Sequence, residues 1–188
     1  MTNTSIDNEA IVKSVIHWFE QAVLGLNLCP FARRPYESNS IEFCLSTASD
    51  DEACLTDVYN NLDKLDSHPE IETLVIILSS HLVNFDDYNQ FLDLVDGLLE
   101  QEGWTGIYQV ASFHPDYCFS DCDIDARENW TNRSPYPLLH LIRESSLSAV
   151  IESHPDIDSI PLKNIQTMND LSALQMSSIF GARYNNLD

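Results

Sequence analysis

The stretch TLVIIL, residues 73–78, decides the fold of this chain. A short, continuously apolar run between polar segments is typical of a strand that is buried on both faces of a sheet. Helical patterns lie on either side of it, at about 50–66 and 84–102, with apolar residues recurring every three or four positions. The sequence therefore predicts a central strand that is covered by helices.

Two further strands are predicted on either side of this centre. SIEFCLS, residues 40–46, alternates like a half-buried strand, and IYQVASF, residues 107–113, supplies a third. Strands that alternate with helices indicate parallel pairing through right-handed crossovers, with the helices packed on the sheet. We expect an α/β fold with a small, mostly parallel sheet of about three core strands flanked by helices.

Helical patterns also occupy the two ends of the chain. Residues 8–26 carry apolar side chains at near-helical spacing behind Asp7 or Asn8 as a cap, and a final helix is expected to begin near Pro161 and end at Gly181. A chain of 188 residues falls within the usual size of one core. We therefore expect residues 1–188 to form a single compact α/β domain.

The charge of the chain excludes some classes of partner. Thirty acidic residues against nine Lys and Arg give a net charge of −21, which repels phosphate backbones and anionic lipid, so we expect no nucleic-acid partner. The N-terminus lacks a signal-peptide pattern and no stretch is long and apolar enough to span a membrane, so we expect a cytoplasmic protein without a membrane role. Five cysteines, an odd number, indicate free thiols or metal ligands. No cofactor is assigned.

Three tripeptides of the form His-Pro-acid raise the question of a site. They begin at His68, His114 and His154. Proline forces an extended conformation on the preceding residue, so this unit turns the chain well at a helix exit, as we expect for His68 and His154. Only His114 follows a strand, and ligands of parallel α/β sheets gather beyond the carboxyl ends of strands. His114 is therefore the candidate site residue of the three.

The segment after His114 is the second strong feature. Residues 114–133 are predicted to form a long loop rich in His, Asp and Arg, and such loops are often functional. Ser134 with the following prolines predicts the start of a helix, and a helix N-terminus favours an anion. On that helix Tyr136, His140 and Arg143 would share one face.

Arginines are concentrated near these segments. Five of the nine cationic residues are arginines in residues 29–36 and 127–143. The planar guanidinium suits carboxylate or phosphate, so a local cationic pocket predicts a small anionic partner, although pairing with neighbouring acids is an equally open interpretation. The predicted binding residues are Arg33, Asn132, Arg133, Ser134, Tyr136 and Arg143.

Three functions are compatible with these residues. The first is an enzyme that acts on a small anionic metabolite, with Cys29 as nucleophile, His114 or His140 as acid/base and Asp116 beside them. Nearby arginines would lower the pKa of the Cys29 thiol. The second is a non-catalytic metabolite-binding or regulatory module.

The third function is metal binding. His114, Cys118 and Cys122 have ligand-like spacing, and Cys29, His140 or Glu144 could complete the set. The spacing is loose, so no residue is assigned to a metal in the favoured interpretation. The catalytic candidates also have structural interpretations: Cys29 could be a small core residue, and His140 could be a buried histidine paired with Glu144.

Several motifs resemble a known bacterial family, the domain of unknown function numbered 1415. They are NLCPFA at 27–32, DYNQFLDL at 87–94, FHPDYCF at 113–119, WTNRSPYPLLHLIRE at 130–144 and IPLKN at 160–164. Trp130 replaces the tyrosine of the family pattern, which as known does not require Cys118 or Cys122. The resemblance implies a single-domain family without an established activity. It also implies that the site map includes Cys29, His114, Asp116, Asn132, Arg133, His140, Arg143 and Glu144.

Overall fold

The computed structural model describes residues 3–151, 157–181 and 184. Its helices are α1 (Asn3–Trp18), which continues as a π-helix over Phe19–Leu24, then α2 (Arg33–Glu37), α3 (Asp51–Ser67), α4 (Phe85–Gln101), α5 (Glu144–Ile151), α6 (Ile160–Asp170) and α7 (Ala173–Phe180). Its strands are β1 (Ile41–Ser46), β2 (Thr73–Leu78), β3 (Tyr108–Phe113) and β4 (Leu138–Arg143). Short 3-10 turns cover Arg127–Thr131 and Ile157–Ser159. The predicted helix at the N-terminus and the three predicted strands are confirmed within a few residues.

The four strands form one mixed sheet in the order β1-β2-β4-β3. β1 pairs with β2 in parallel, whereas β4 lies between β2 and β3 and is antiparallel to both. The prediction of an α/β fold is confirmed. The prediction of a mostly parallel sheet with about three strands is wrong, because a fourth strand enters the middle of the sheet.

That fourth strand replaces the helix predicted to begin at Ser134. Leu138–Arg143 is a strand, and only the following Glu144–Ile151 is helical. Side chains on a strand alternate between the two faces, so His140 and Arg143 point to opposite sides of the sheet and do not share a face. The anion cradle predicted at a helix N-terminus near Ser134 is therefore absent.

The core lies on both faces of the sheet. Leu74, Ile76 and Leu139 pack with α3 and α4 on one face. Val75 and Leu138, their neighbours in sequence, pack with α1 and its π-helical continuation on the other. All six residues of β2 are buried, as its unbroken apolar sequence predicted.

The C-terminal helices pack against the loop that follows α1. Leu28, Trp130, Met168 and Met176 form a separate buried cluster. Within the NLCPFA and IPLKN motifs, the Asn164 amide donates to the carbonyl of Leu28 at 2.8 Å. α7 ends at Gly181, as predicted, but α6 and α7 are two helices where one was expected.

Of the two His-Pro-acid units predicted to be turns at helix exits, the structure describes the one at His68. His68 is the C-cap of α3, which confirms its predicted role as a turn at a helix exit. His154 lies outside the described residues. Among the helices of the described ranges, none has the length and apolar character needed to cross a membrane.

Candidate functional site

Three strands end at the same edge of the sheet. β1 and β2 are parallel, and because β4 is antiparallel to both β2 and β3, β3 points in the same direction as the first two. Residues 79–84, after β2, and residues 114–137, between β3 and β4, both leave from this edge. Ligands of α/β sheets gather beyond such carboxyl ends. The fold therefore favours a site near this edge of the sheet.

His114 joins the two segments. Its Nε2–H donates to the carbonyl of Leu82 at 3.1 Å, and its Nδ1 accepts the backbone N–H of Asp116 at 3.0 Å. A carbonyl oxygen can only accept and a backbone N–H can only donate, so both nitrogens of this fully buried ring are engaged. Because Nδ1 accepts and therefore carries no proton, the ring is neutral. Leu82 has a φ of 58°, in the left-handed region, and the bond to His114 helps to hold it there. The contacts of His114 support a structural role, in which Asp116 takes part through its backbone.

Arg133 fixes the long loop from inside. It is 5% exposed, its Nε donates to the carbonyl of Tyr117 at 3.1 Å, and its Nη2 donates to that of Ile124 at 2.7 Å. Its guanidinium carbon lies 4.9 Å from the centre of the Trp130 ring, within cation–π range. The plane of this cation is therefore held by two loop carbonyls and an aromatic face.

Asn129 is a second anchor of the loop. It is fully buried, donates to the carbonyls of Asp123 at 2.8 Å and Ile124 at 3.1 Å, and accepts the backbone N–H of Phe119 at 3.0 Å. This residue was not predicted as part of the site, since one buried asparagine has no sequence signal of its own. Together Asn129 and Arg133 give the long loop between β3 and β4 a fixed shape.

The residues between the loop and β4 are also held by the backbone. The Asn132 amide donates to the carbonyl of Ser112 at 3.1 Å, and the Ser134 hydroxyl donates to the carbonyl of Tyr136 at 2.6 Å. Residues 132–137 form a turn and bends rather than a helix, so this segment offers no helix N-terminus to a ligand. Any anion recognition at this point has to come from the side chains.

A cavity of about 550 Å³, which we call the Arg133 cavity, opens beside this segment. It lies between α1, the segment before β4 and the end of α7. Its lining consists of Ser14, His17, Trp18, Pro115, Trp130, Arg133, Ser134, Pro135, Tyr136, Ser178, Ile179, Phe180 and Gly181. Three of the predicted binding residues, Arg133, Ser134 and Tyr136, therefore meet at one cavity.

No acidic side chain lines the Arg133 cavity among the residues with described positions. By contrast, a cavity of about 590 Å³ includes Asp51 and Asp87, and another of about 680 Å³ includes Asp96, Glu100 and Glu144. In a chain with a net charge of −21, the described lining of this cavity carries an arginine and a histidine without Asp or Glu.

The indole of Trp18 is part of the wall of this cavity. Trp18 is 5% exposed, and its enclosed Nε1 has no hydrogen-bond acceptor in the part of the chain that is described. A buried donor without a partner costs about 1–3 kcal/mol. The wall thus contains a hydrogen-bond donor without an acceptor among the described residues. Because this N–H is enclosed, a ligand oxygen could accept from it only after the indole or its neighbours move.

The other predicted binding arginines lie at the carbonyl ends of helices. Arg33 donates to the carbonyl of Leu24 at 2.9 Å, at the end of the π-helix, and Arg143 donates to those of Leu65 and His68, at the end of α3. The last carbonyls of a helix lack partners in the helix and carry its negative dipole end, so they attract guanidinium groups. Arg33 and Arg143 do not line the Arg133 cavity.

His140 is buried in the sheet on the α1 side. Its Nε2 lies 2.9 Å from the hydroxyl of Thr73, and its ring packs edge-to-face on Phe19. Burial lowers the pKa of His140 to about 4, because a charged ring would lose its hydration there. This arrangement does not include Glu144, and it supports a core histidine rather than an acid/base in contact with a ligand.

Cys29 lies in the loop after the π-helix, partly buried against the core on the α1 side. Burial raises the pKa of its thiol, and backbone N–H groups of Phe31 and Ala32 offset only part of that effect. The expected lowering by nearby arginines is not found, because Arg33 points to the carbonyl of Leu24 and Arg34 pairs with Glu72. Cys29 does not line the Arg133 cavity.

We expect Cys29 to resist alkylation, since only the thiolate is an effective nucleophile. With limiting iodoacetamide at near-neutral pH, peptide mass spectrometry should show Cys29 unmodified in the native protein and modified after denaturation. Labelling of Cys29 ahead of the other cysteines would contradict this expectation and favour its predicted role as a nucleophile.

The proposed metal ligands are occupied by other contacts. Both nitrogens of His114 are engaged, Cys118 Sγ donates to the carbonyl of Cys122 at 3.6 Å, and the thiol of Cys122 donates to the carboxylate of Glu128. Across residues 3–151 and 157–181, no group of three His, Cys, Asp or Glu side chains is placed to hold a metal ion. The described residues do not assemble the alternative metal site.

Several lining residues of the Arg133 cavity were missed by sequence reasoning. Ser14, His17 and Trp18 lie on one face of α1, three and four residues apart, and this spacing was a usable signal of a polar patch on an otherwise apolar helix face. Ser178 and Phe180 come from α7, and nothing in their sequence indicates that they meet the segment before β4.

One family model matches most of the chain. Its description is "Protein of unknown function (DUF1415)", and the match covers residues 10–178. Neither a curated protein nor a solved structure matches. The match includes every lining residue of the Arg133 cavity up to Ser178.

Proposed function

We propose that this chain, which belongs to the DUF1415 family of proteins of unknown function, binds a small anionic molecule in the Arg133 cavity. The observation that carries the proposal is the lining itself: it holds a buried arginine, an exposed histidine and three serines, and no acidic side chain among the described residues. Cavities of about 300–1,000 Å³ with a few convergent polar groups are typical of small-molecule sites.

Arg133 supplies the specific recognition in this proposal. Its guanidinium is almost enclosed, so its field reaches the cavity with less screening by water than that of a surface arginine. The carbonyls of Tyr117 and Ile124 hold it in one orientation, which reduces the entropy lost when a ligand binds. Ser134 and His17 add polar atoms at the same wall.

A binding role is favoured here over catalysis by a Cys/His pair. The pKa of Cys29 is raised by burial, the two nitrogens of His114 are used by the backbone, and neither residue lines the cavity. A nucleophile and its base need mutual contact and access to the substrate. The ligand is therefore proposed to be held without covalent attack by Cys29.

We expect phosphate or citrate to raise the melting temperature of the protein, because a ligand that binds only the native state stabilises it by mass action. Saturation at about 100 times the dissociation constant corresponds to about 2.7 kcal/mol. Arg133→Gln should remove this shift, and Arg133→Lys should keep only part of it, since lysine offers a point charge instead of a planar fork.

The matched control is Arg127→Gln. Arg127 belongs to the same segment and donates to backbone carbonyls at the end of α6, but it does not line the cavity. Both substitutions are expected to lower the stability of the free protein, so the comparison concerns only the shift caused by the anion. An undiminished shift in Arg133→Gln would contradict the proposal.

A further inference from the structure

Beyond its charge, the Arg133 cavity has an aromatic wall. Trp18, Trp130, Tyr136 and Phe180 all line it. The rings of Trp130 and Phe180 pack with centres 4.8 Å apart at a tilt of 56°, so these two side chains form one continuous apolar surface. A wall of this kind contributes little to binding a fully hydrated inorganic ion, and it favours a ligand with an apolar body.

The cation lies directly beside this wall. The guanidinium carbon of Arg133 lies 4.9 Å from the centre of the Trp130 ring, and the same Trp130 side chain packs with Phe180. A ligand whose carboxylate faces Arg133 would therefore place the adjoining part of its body against Trp130 and Phe180. Positive charge and aromatic surface are therefore adjacent in this cavity.

The remaining lining agrees with an amphipathic ligand. Pro115, Pro135 and Ile179 add apolar surface, whereas Ser14, His17 and Ser178 are polar. The volume of about 550 Å³ lies in the middle of the range for ligands of drug size, well beyond the space that a lone phosphate or acetate needs.

From this juxtaposition we infer that the preferred ligand is an aromatic carboxylate, with its carboxylate at Arg133 and its ring against Trp130 and Phe180. The inference rests on the proposed function, since it requires that the cavity bind an anion. It adds that the ring, and not only the charge, is recognised. Aromatic rings prefer tilted or offset contacts with other rings, and these four side chains offer them.

The test compares the binding of three probes: phenylacetate, acetate and benzylamine. Binding can be followed by tryptophan fluorescence in Trp104→Phe, because the two tryptophans that remain, Trp18 and Trp130, both line the cavity. We expect phenylacetate to bind at least roughly tenfold more tightly than acetate, and benzylamine, with the same ring and the opposite charge, to bind no better than acetate. Melting temperature of the natural sequence with the same probes gives an independent measurement.

Phe180→Leu tests the wall itself. It keeps an apolar side chain but removes the ring, so the preference for phenylacetate over acetate should fall severalfold. Leu174→Ala is the matched control on α7, because Leu174 is 82% exposed and does not line the cavity. The control should keep the full preference.

The possible failures are distinguishable. Equal affinity for phenylacetate and acetate, or binding of benzylamine as tight as that of phenylacetate, would overturn the inference. If phosphate or citrate still bound through Arg133 in that case, the proposed function would survive. If no anion bound, with or without a ring, both would fall.

Discussion

Arg143→Met is expected to lower the free energy of unfolding by about 3 kcal/mol, since hydrogen bonds of a charged group contribute about 1.5–3 kcal/mol each when buried, and water replaces part of those lost by this half-buried side chain. The guanidinium donates to the carbonyls of Leu65, His68 and Ile71, at and just beyond the end of α3, and lies over the ring of Tyr108. It thereby ties the end of α3 to β4. Methionine keeps the apolar stem and removes only the fork.

The effect can be measured by urea denaturation or by the melting temperature, which should fall by about 6–12 °C for a chain of this length. Arg143→Lys should not restore stability, because an ammonium group cannot reach three carbonyls in a fixed plane.

The control for this prediction is Arg34→Met. The side chain of Arg34 is 77% exposed and pairs with Glu72 on the surface. Exposed ion pairs contribute about 0–1 kcal/mol, so this substitution should have little effect. Equal losses in Arg34→Met and Arg143→Met would show that the contacts of Arg143 at the end of α3 are not what stabilises the fold.

The second large effect is a pH dependence that belongs to His140. Burial lowers its pKa to about 4 in the folded protein, against 6.5 for an ordinary histidine. Between these two values the unfolded chain binds the proton and the folded chain does not, so stability falls as the pH falls from about 6.5 to about 4. Below about 4 both states are protonated and no further loss comes from this group. The full difference corresponds to roughly 3 kcal/mol.

The measurement is the free energy of unfolding of the natural protein and of His140→Gln between pH 7.5 and 4. Glutamine can keep a hydrogen bond to the Thr73 hydroxyl but does not titrate. We expect the variant to be less stable at pH 7.5, where the packing of the ring on Phe19 is lost, and to lose less stability on acidification. Because the many carboxylates titrate in both proteins, only the difference between the two curves reports on His140. Parallel curves would contradict the prediction.

Sequence reasoning determined the elements whose local pattern allows one structure. Thr73–Leu78 is a central strand because five consecutive apolar residues, Leu74–Leu78, between polar segments fit a position buried on both faces. Helices α3 and α4 follow from apolar residues at a helical period, and each begins at a side-chain cap, Asp50 or Asn84. The meeting of Arg133, Ser134 and Tyr136 was also predictable, since they are neighbours in sequence.

The segment 138–143 shows where local pattern was insufficient. Its apolar run is too short for periodicity to distinguish a helix from a strand, and the two prolines before it are compatible with both. The segment becomes a strand because the backbone groups of β2 and β3 that face each other need a partner strand between them. This pairing is a contact between residues that are distant in the chain. The same contact makes the sheet mixed.

The candidate site was decided mainly by tertiary structure. A guanidinium group can bind the carbonyls at a helix end as readily as it can bind a ligand. Only the fold shows that Arg33 and Arg143 contact helix carbonyls, whereas Arg133 lines a cavity. His17, Trp18 and Phe180 join that cavity from the two ends of the chain. The sequence determines which side chains are available. Their distances from one another depend on long-range packing, which no local pattern contains.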